Sequence, residues 1–158
     1  MMAEIPLTQG FVALVDDEDY EFLSQWSWCY KITKKGGYAC RGTRIGGKPK
    51  MYYMHRTIMD EPACQVDHRN GNKLDNRRSN LRLATSEQNR QNQPKRSDNT
   101  SGFKGVSYDK NRGRWKATVR GRLIGRFATA EEAARVCDRE ARLLYGEFAV
   151  LNFPKEIS

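Results

Sequence analysis

Four polar residues in one stretch of the chain are of the types that phosphoryl chemistry uses: the adjacent pair Asp67 and His68, then Asn80, then Asn89. Attack of water on phosphorus needs a base for the water's proton and positive charge to absorb what develops on the phosphoryl and leaving oxygens. An imidazole with an unperturbed pKa near ~6.5 can be that base at neutral pH, which gives the role to His68. A magnesium ion prefers oxygen ligands, keeps several of its waters and needs only one or two protein groups. The Asp67 carboxylate and the Asn89 carboxamide oxygen would suffice, and Asn80 would pin the turn that presents His68. Neighbouring strand residues point to opposite faces, so Asp67 and His68 would bracket a phosphate and not converge on one atom.

These residues need a compact element to position them, and the stretch VDHRNGNKLDNRRSNLRLATSEQNRQN, Val66 to Asn92, has the signals for one. A short apolar approach ends at Asp67-His68, and Asn70, Gly71, Asn72, Asp75 and Asn76 then reverse the chain. A second strand is expected from about Asn80 to Ala84, with Leu81 and Leu83 alternating against Arg82. A helix opens at Thr85, where Gln88 stands three residues on as in a capping box, and stops before Pro94. The product is strand, turn, strand and helix in under thirty residues.

Asp67-His68, Asn80-Leu81-Arg82 and Gln88-Asn89, with Met54-His55-Arg56 before them, resemble the HNH nucleases of the ββα-metal type, and among these the phage and intron-encoded homing endonucleases. The resemblance implies Asp67 and Asn89 as metal ligands, His68 as general base and Asn80 as the structural Asn. Asn89 stands where other branches have His, which implies an oxygen-rich site for Mg2+ or Mn2+. His55 carries a part of the resemblance that suggests a role near DNA or in bracing the site; a structural His fits it equally.

The chain has 158 residues with 30% charged side chains and a formal net charge of +9. Its pI of about 9.6 and mean hydropathy of -0.82 point to small modules and a polyanionic partner. There is no basic amphipathic helix or long apolar run, which favours nucleic acid over a membrane surface. The opening MMAEIPLTQG lacks the apolar core of a signal peptide, so a cytoplasmic protein is expected. The four cysteines, at 29, 40, 64 and 137, form no Cys-x-x-Cys pair and are read as free thiols.

Before the central stretch, Ile5 to Met54 reads as a mostly β module. Ile5 to Leu7 and Phe11 to Val15 are expected strands. The acids Asp16, Asp17, Glu18 and Asp19 crowd the start of a short helix, whose buried face Phe22, Leu23 and Trp26 would supply. Strands at about Trp26 to Thr33, Tyr38 to Ile45 and Lys50 to Met54, with turns at Lys34 to Gly37 and Gly46-Gly47, make an antiparallel meander. One sheet face carrying Lys31, Arg41, Arg44, Lys48 and Lys50 is expected to follow a phosphate backbone.

After the helix, residues 94–102 have the Pro, Ser, Asn and Gly content of a linker. Phe103 to Tyr108, Arg114 to Arg120 and Leu123 to Phe127 are three expected strands, with a tight turn at Gly121-Arg122. Arg114, Lys116, Thr118 and Arg120 fall on one face of the middle strand, and Trp115, Ala117 and Val119 on the other. A helix begins at Thr129, capped with Glu132, and runs to about Tyr145 before Gly146, with Ala130, Ala134, Cys137, Ala141 and Leu144 as a narrow buried stripe. FKGVSYDKNRGRWKATVR, the helix, and the closing Leu151-Asn152-Phe153-Pro154 resemble the plant ethylene-response-factor (APETALA-type) DNA-binding domain. The resemblance implies a sheet that enters the major groove, with Lys104, Arg114, Lys116, Thr118 and Arg120 facing DNA and Arg122 and Arg126 nearby. Ser107 and Asp109 stand where the plant domains have Arg, so their target sequence does not carry over.

The expected fold is α+β: an N-terminal antiparallel β module (1–54), a ββα-metal motif (64–93) completing an HNH nuclease domain (1–93), a linker (94–102), and a three-stranded antiparallel sheet packed on one helix (103–158). The expected function is a site-directed, metal-dependent HNH homing endonuclease. It would act as a monomer on double-stranded DNA, nicking one strand, with Arg82 among the DNA-binding residues and no membrane involved. The alternative is a non-catalytic, sequence-specific DNA-binding regulator that keeps a relic nuclease motif.

Overall fold

A computed structural model describes residues 2–33, 36–93, 95 and 97–155. The chain divides into two compact units, 1–86 and 87–158, each treated by itself. The fold is α+β, as the sequence suggests.

In the first unit, β1 (Met2–Pro6) and β2 (Val12–Asp16) form an antiparallel hairpin, and helix α1 (Asp17–Leu23) follows directly. Strands β3 (Cys29–Thr33), β4 (Gly36–Ile45) and β5 (Lys48–Tyr53) form the expected meander. A short helix α2 (Met54–Ile58), which the sequence reading missed, leads to the hairpin of β6 (Gln65–His68) and β7 (Leu81–Ala84). One core holds these pieces, with Ala13, Val15, Leu23, Met54 and Ile58 at 2% exposure or less. Leu23 alone of the expected helix face is buried. Phe22 is exposed and meets Trp26 edge-on, because a helix this short presents only one turn to the core.

Two expectations about the meander change. Lys34 and Lys35 of the first turn lie outside the described residues, while Gly36 and Gly37 are already strand, paired with Thr33 and Ile32. A Cβ on Gly37 would collide with the Tyr30 ring, so that position is glycine for close approach. The five basic residues do not share a face. Tyr38, Cys40, Gly42 and Arg44 alternate with Ala39, Arg41, Thr43 and Ile45, and the register sets Lys31 opposite Tyr38, Lys50 opposite Thr43 and Lys48 opposite Ile45. Lys31 and Arg44 therefore lie on one side, and Arg41, Lys48 and Lys50 on the other. The Arg41 guanidinium lies over Trp26 and Tyr52, 4.2 and 4.6 Å from their ring centres.

In the second unit, helix α3 (Ser86–Gln91) begins at the division. Strands β8 (Val106–Asp109), β9 (Arg114–Val119) and β10 (Arg122–Phe127) form an antiparallel sheet in the order β10-β9-β8. Helix α4 (Ala130–Tyr145) packs on it and opens with the predicted capping box between Thr129 and Glu132. Ala117, Ala133 and Ala134 are fully buried at this interface, where small side chains let helix and sheet approach closely. Leu144 of the expected stripe is 54% exposed, and Ala133 takes a buried place instead. The hairpin turn is Arg120-Gly121, not Gly121-Arg122. Both residues have positive φ, 53° and 77°, as the favoured two-residue turn requires, and Arg120 accordingly leaves the strand.

Residues 97–102 carry local structure: the Ser101 hydroxyl donates to the Val106 carbonyl at 2.8 Å and the Asn99 amide to the Phe103 carbonyl at 2.8 Å. At the other end of the unit, buried Asp138 accepts from the Asn152 backbone, the Asn152 side chain and the Phe153 backbone, each at 2.8 Å. Asn152 in turn brackets the Lys104 peptide, accepting from its N–H and donating to its carbonyl. Asp138→Ala strands three donors and should cost about 3 kcal/mol, seen as a lower midpoint for the unit's transition in a thermal melt followed by circular dichroism.

Candidate active site

β6 and β7 pair in the register Asp67↔Arg82 and His68↔Leu81. Directly opposed residues share a face and neighbours alternate, so Asp67 and Arg82 stand on one side of the hairpin and His68 and Leu81 on the other. Asp67 and His68 thus lie on opposite faces, as strand alternation predicts. Arg82 departs from expectation: it is 6% exposed, while Leu83 is 50% exposed. The Asp67 carboxylate draws it in, Arg82 donating from Nε and Nη2 to Oδ2 at 3.0 and 2.9 Å. A buried carboxylate requires such a partner.

The reversal between the strands is built from side-chain amides. Asn80, 6% exposed, accepts from the Asn70 backbone at 3.0 Å and donates to the Asp75 carbonyl at 2.7 Å, pinning the turn after His68 as proposed from sequence. Asn70 and Asn72 close smaller turns on the N–H groups of Asn72 and Leu74. The carboxylate of Asp75 accepts from Asn70 and from both Nε and Nη2 of Arg77, and these donors hold its pKa below the ordinary carboxylate value.

β2 fixes this reversal in space. Leu14 N–H donates to Leu74 and Asn76 N–H to Leu14, both at 2.8 Å. The Arg78 backbone donates to Asp16 at 2.7 Å, and its guanidinium grips both oxygens of Asp19 at 2.9 and 2.7 Å. The acids at the start of α1 thus have a second use that sequence alone did not reveal: they anchor the loop of the site.

His68 is 1% exposed. Its Nε2 lies 3.2 Å from Asn76 Oδ1, and the Asn76 amide nitrogen donates to the Leu74 carbonyl at 3.2 Å. That second bond fixes which end of the carboxamide faces the ring. Nε2 therefore carries the proton in the neutral imidazole, and Nδ1 is the basic nitrogen. Burial pushes the His68 pKa down to about 4 against the opposing pull of Asn76, so the ring is neutral at pH 7. Tyr38 and His55 surround it at ring-centre distances of 6.3 and 5.0 Å, and Tyr53 lies 5.8 Å from His55. Tyr38 and Tyr53 arrive from the meander; nothing in their local sequence marks them as site residues. Asn76, read from sequence only as a turn former, sets the tautomer.

Asn89 lies half-buried on α3. Of the residues expected to face DNA, Arg114, Lys116 and Thr118 lie on the outward side of β9, with Arg126 paired opposite Lys116. Arg126 donates from Nε to Asp109 at 3.0 Å across the sheet. Arg120 and Arg122 are exposed at the hairpin turn and the start of β10, and Arg120 pairs with Glu87 at 2.8 Å. Lys104 precedes the sheet and turns its ammonium onto the carbonyls of Gln91 and Gln93 at 2.8 and 2.6 Å, where burial lowers its pKa.

Burial, with His68, Arg56 and Lys73 nearby, pushes the His55 pKa down to about 3. Unfolding returns this imidazole to about 6.5. The unfolded chain then binds a proton that the folded chain refuses. The contribution to stability is full above about pH 6.5 and is lost as pH falls toward about 3. Thermal midpoints of the full chain should therefore fall on acidification from pH 7 to pH 4, and His55→Phe should flatten that dependence.

A family model described as HNH endonuclease matches residues 52–91, the span from the end of β5 to the end of α3. Protein 3.8 of Escherichia phage T7 is 39% identical over 74 residues, 47% of this chain and 51% of that protein. An ethylene-responsive transcription factor of Arabidopsis thaliana is 45% identical over 71 residues, 37% of this chain and 27% of that protein. No solved structure matches significantly. An uncharacterised HNH endonuclease of Acanthamoeba polyphaga mimivirus is 32% identical over 152 residues, 91% of this chain and 76% of that protein. With the family match lying over the hairpin that carries Asp67, His68 and Asn80, this breadth of likeness makes the chain a member of the HNH endonuclease family.

Proposed function

We propose that this protein is a site-directed, metal-dependent DNA endonuclease of the homing type that nicks one strand of a duplex as a monomer. Residues 1–93 would carry the nuclease and residues 103–158 the sheet that anchors it to DNA, joined through 94–102. The observation that carries this reading is His68: a neutral imidazole of fixed tautomer, one residue from a buried carboxylate on the opposite face of the same strand.

In the mechanism, His68 takes the proton of the attacking water at Nδ1, and the Asn76 carboxamide stabilises the imidazolium that forms through the Nε2–H bond. Asn80 keeps the turn closed so that the ring does not swing away. The donor set fits a hard divalent cation, Mg2+ or Mn2+, because Asp67 and Asn89 both offer oxygen. Arg82 donates to Oδ2 from Nε and Nη2, and a carboxylate has about four lone-pair positions. Bound there, such an ion would supply positive charge to the phosphoryl and leaving oxygens. Products would carry 5′-phosphate and 3′-hydroxyl ends.

The basic outward side of β9 supports DNA binding by the second unit, through phosphates, base edges or both. Among the described residues no helix is long and apolar enough to cross a membrane; action in the cytoplasm remains part of this proposal. One observation favours the second reading, a DNA-binding regulator with a relic motif: Arg82 already neutralises Asp67.

A plasmid-nicking assay decides between them. Wild-type protein should relax supercoiled plasmid in Mg2+ or Mn2+ and stop in excess chelator; a protein that shifts DNA on gels but never cuts it is the regulator. His68→Ala should lower the single-turnover nicking rate by at least about a thousandfold while leaving DNA affinity within a few-fold. For the anchoring sheet, Arg114→Ala should reduce the slope of log affinity against log salt by about one, measured by fluorescence anisotropy.

A further inference from the structure

His55 is a buried imidazole that the mechanism above does not use. It is 8% exposed on α2, and the rings of His68, Tyr38 and Tyr53 stand 5.0, 5.4 and 5.8 Å from its own. Its Nδ1 is buried and has no hydrogen-bond partner, a condition shared among the described residues only with Nε of Arg41. Leaving such a group unmade is unfavourable by about 1–3 kcal/mol. A phenylalanine would occupy the same aromatic surroundings without that cost, so packing does not explain why the position carries an imidazole.

The neighbourhood indicates what the missing partner is. Arg56 and Lys73 both disfavour a proton on His55 and no carboxylate opposes them there, so the space around its ring is electropositive, whereas at His68 Asp67 and Asp75 oppose Lys73. Among groups that a nuclease must hold beside its base, the substrate phosphate is the one that is anionic and accepts hydrogen bonds only. An N–H aimed at a phosphoryl oxygen in a water-poor site stabilises charge that grows there during attack.

We propose that His55 is a second catalytic imidazole, donating from Nδ1 to a non-bridging oxygen of the phosphodiester held beside His68. This rests on the nuclease reading and adds a substrate contact to it. His68 moves the proton of water, while His55 stays protonated at Nδ1 throughout and stabilises the phosphorane-like charge. No bond to His55 forms or breaks.

The test uses the full-length protein with Mg2+ and a synthetic duplex spanning a nick mapped with the wild type. His55→Phe should fold with an unfolding midpoint at pH 7.5 equal to or above that of the wild type, yet lower kcat on the order of a hundredfold with little change in KM. His55→Asn, whose amide can donate from nearly the position of Nδ1, should recover part of the loss. Replacing each non-bridging oxygen at the nick by sulfur in turn should slow the wild type for one substitution more than it slows His55→Phe. Equal kcat in wild type and His55→Phe, or equal sulfur sensitivity in the two, overturns the proposal and leaves the nuclease reading intact. A wild type that cuts nothing removes that reading and this inference with it.

Discussion

The carboxamide of Asn80 is the constraint on which the rest of the site depends. The chain between β6 and β7 is too polar to bury a core of its own, so its conformation has to be fixed by directed bonds. Asn80 supplies two of them, one to each side of the turn, from a position where water does not compete. The same loop carries Asn76, whose carboxamide meets the His68 ring at 3.2 Å just where the strand ends. The amides of Asn70, Asn72 and Asn76 extend the same device. The charged side chains of the same loop are paired beside them, Arg77 with Asp75 and Arg78 with Asp19.

Around this loop the first unit works as a clamp. β2 contributes backbone bonds at Leu14, and α1 contributes carboxylates for Arg78. The meander contributes aromatic rings on the other side. Burial then does chemical work: it keeps both imidazoles neutral and forces Arg82 and Asp67 together. The low dielectric that makes these groups costly to bury also strengthens the interactions among them, because water no longer screens them.

The second unit shows a different economy. Its sheet and helix are held by small residues and by one buried carboxylate, Asp138, which collects the closing segment. The outward side of β9 is left to polar and basic groups, some of which are held by partners already: Arg126 by Asp109, and Arg120 by Glu87. Arg114 and Lys116 keep the outward alternation that their spacing implied.

Much of this was legible in the sequence because it is local. The alternation in β9, the Thr129 capping box, the ββα order and the turn function of Asn80 all depend on residues within a few positions of one another, and period and turn chemistry report such relations directly. What the sequence could not determine depends on pairs distant in the chain. Arg82 was read as an outward residue because strand alternation alone says nothing of a carboxylate on the facing strand that must be neutralised. The acids of α1 read as dipole partners because Arg78 lies far along the chain, and the five basic residues of the meander were assigned one face before register divided them. His55 acquired its significance only when folding set it beside His68, removed water from around it, and left Nδ1 with nothing to bond; tertiary structure decides burial, and burial decides what a polar atom needs.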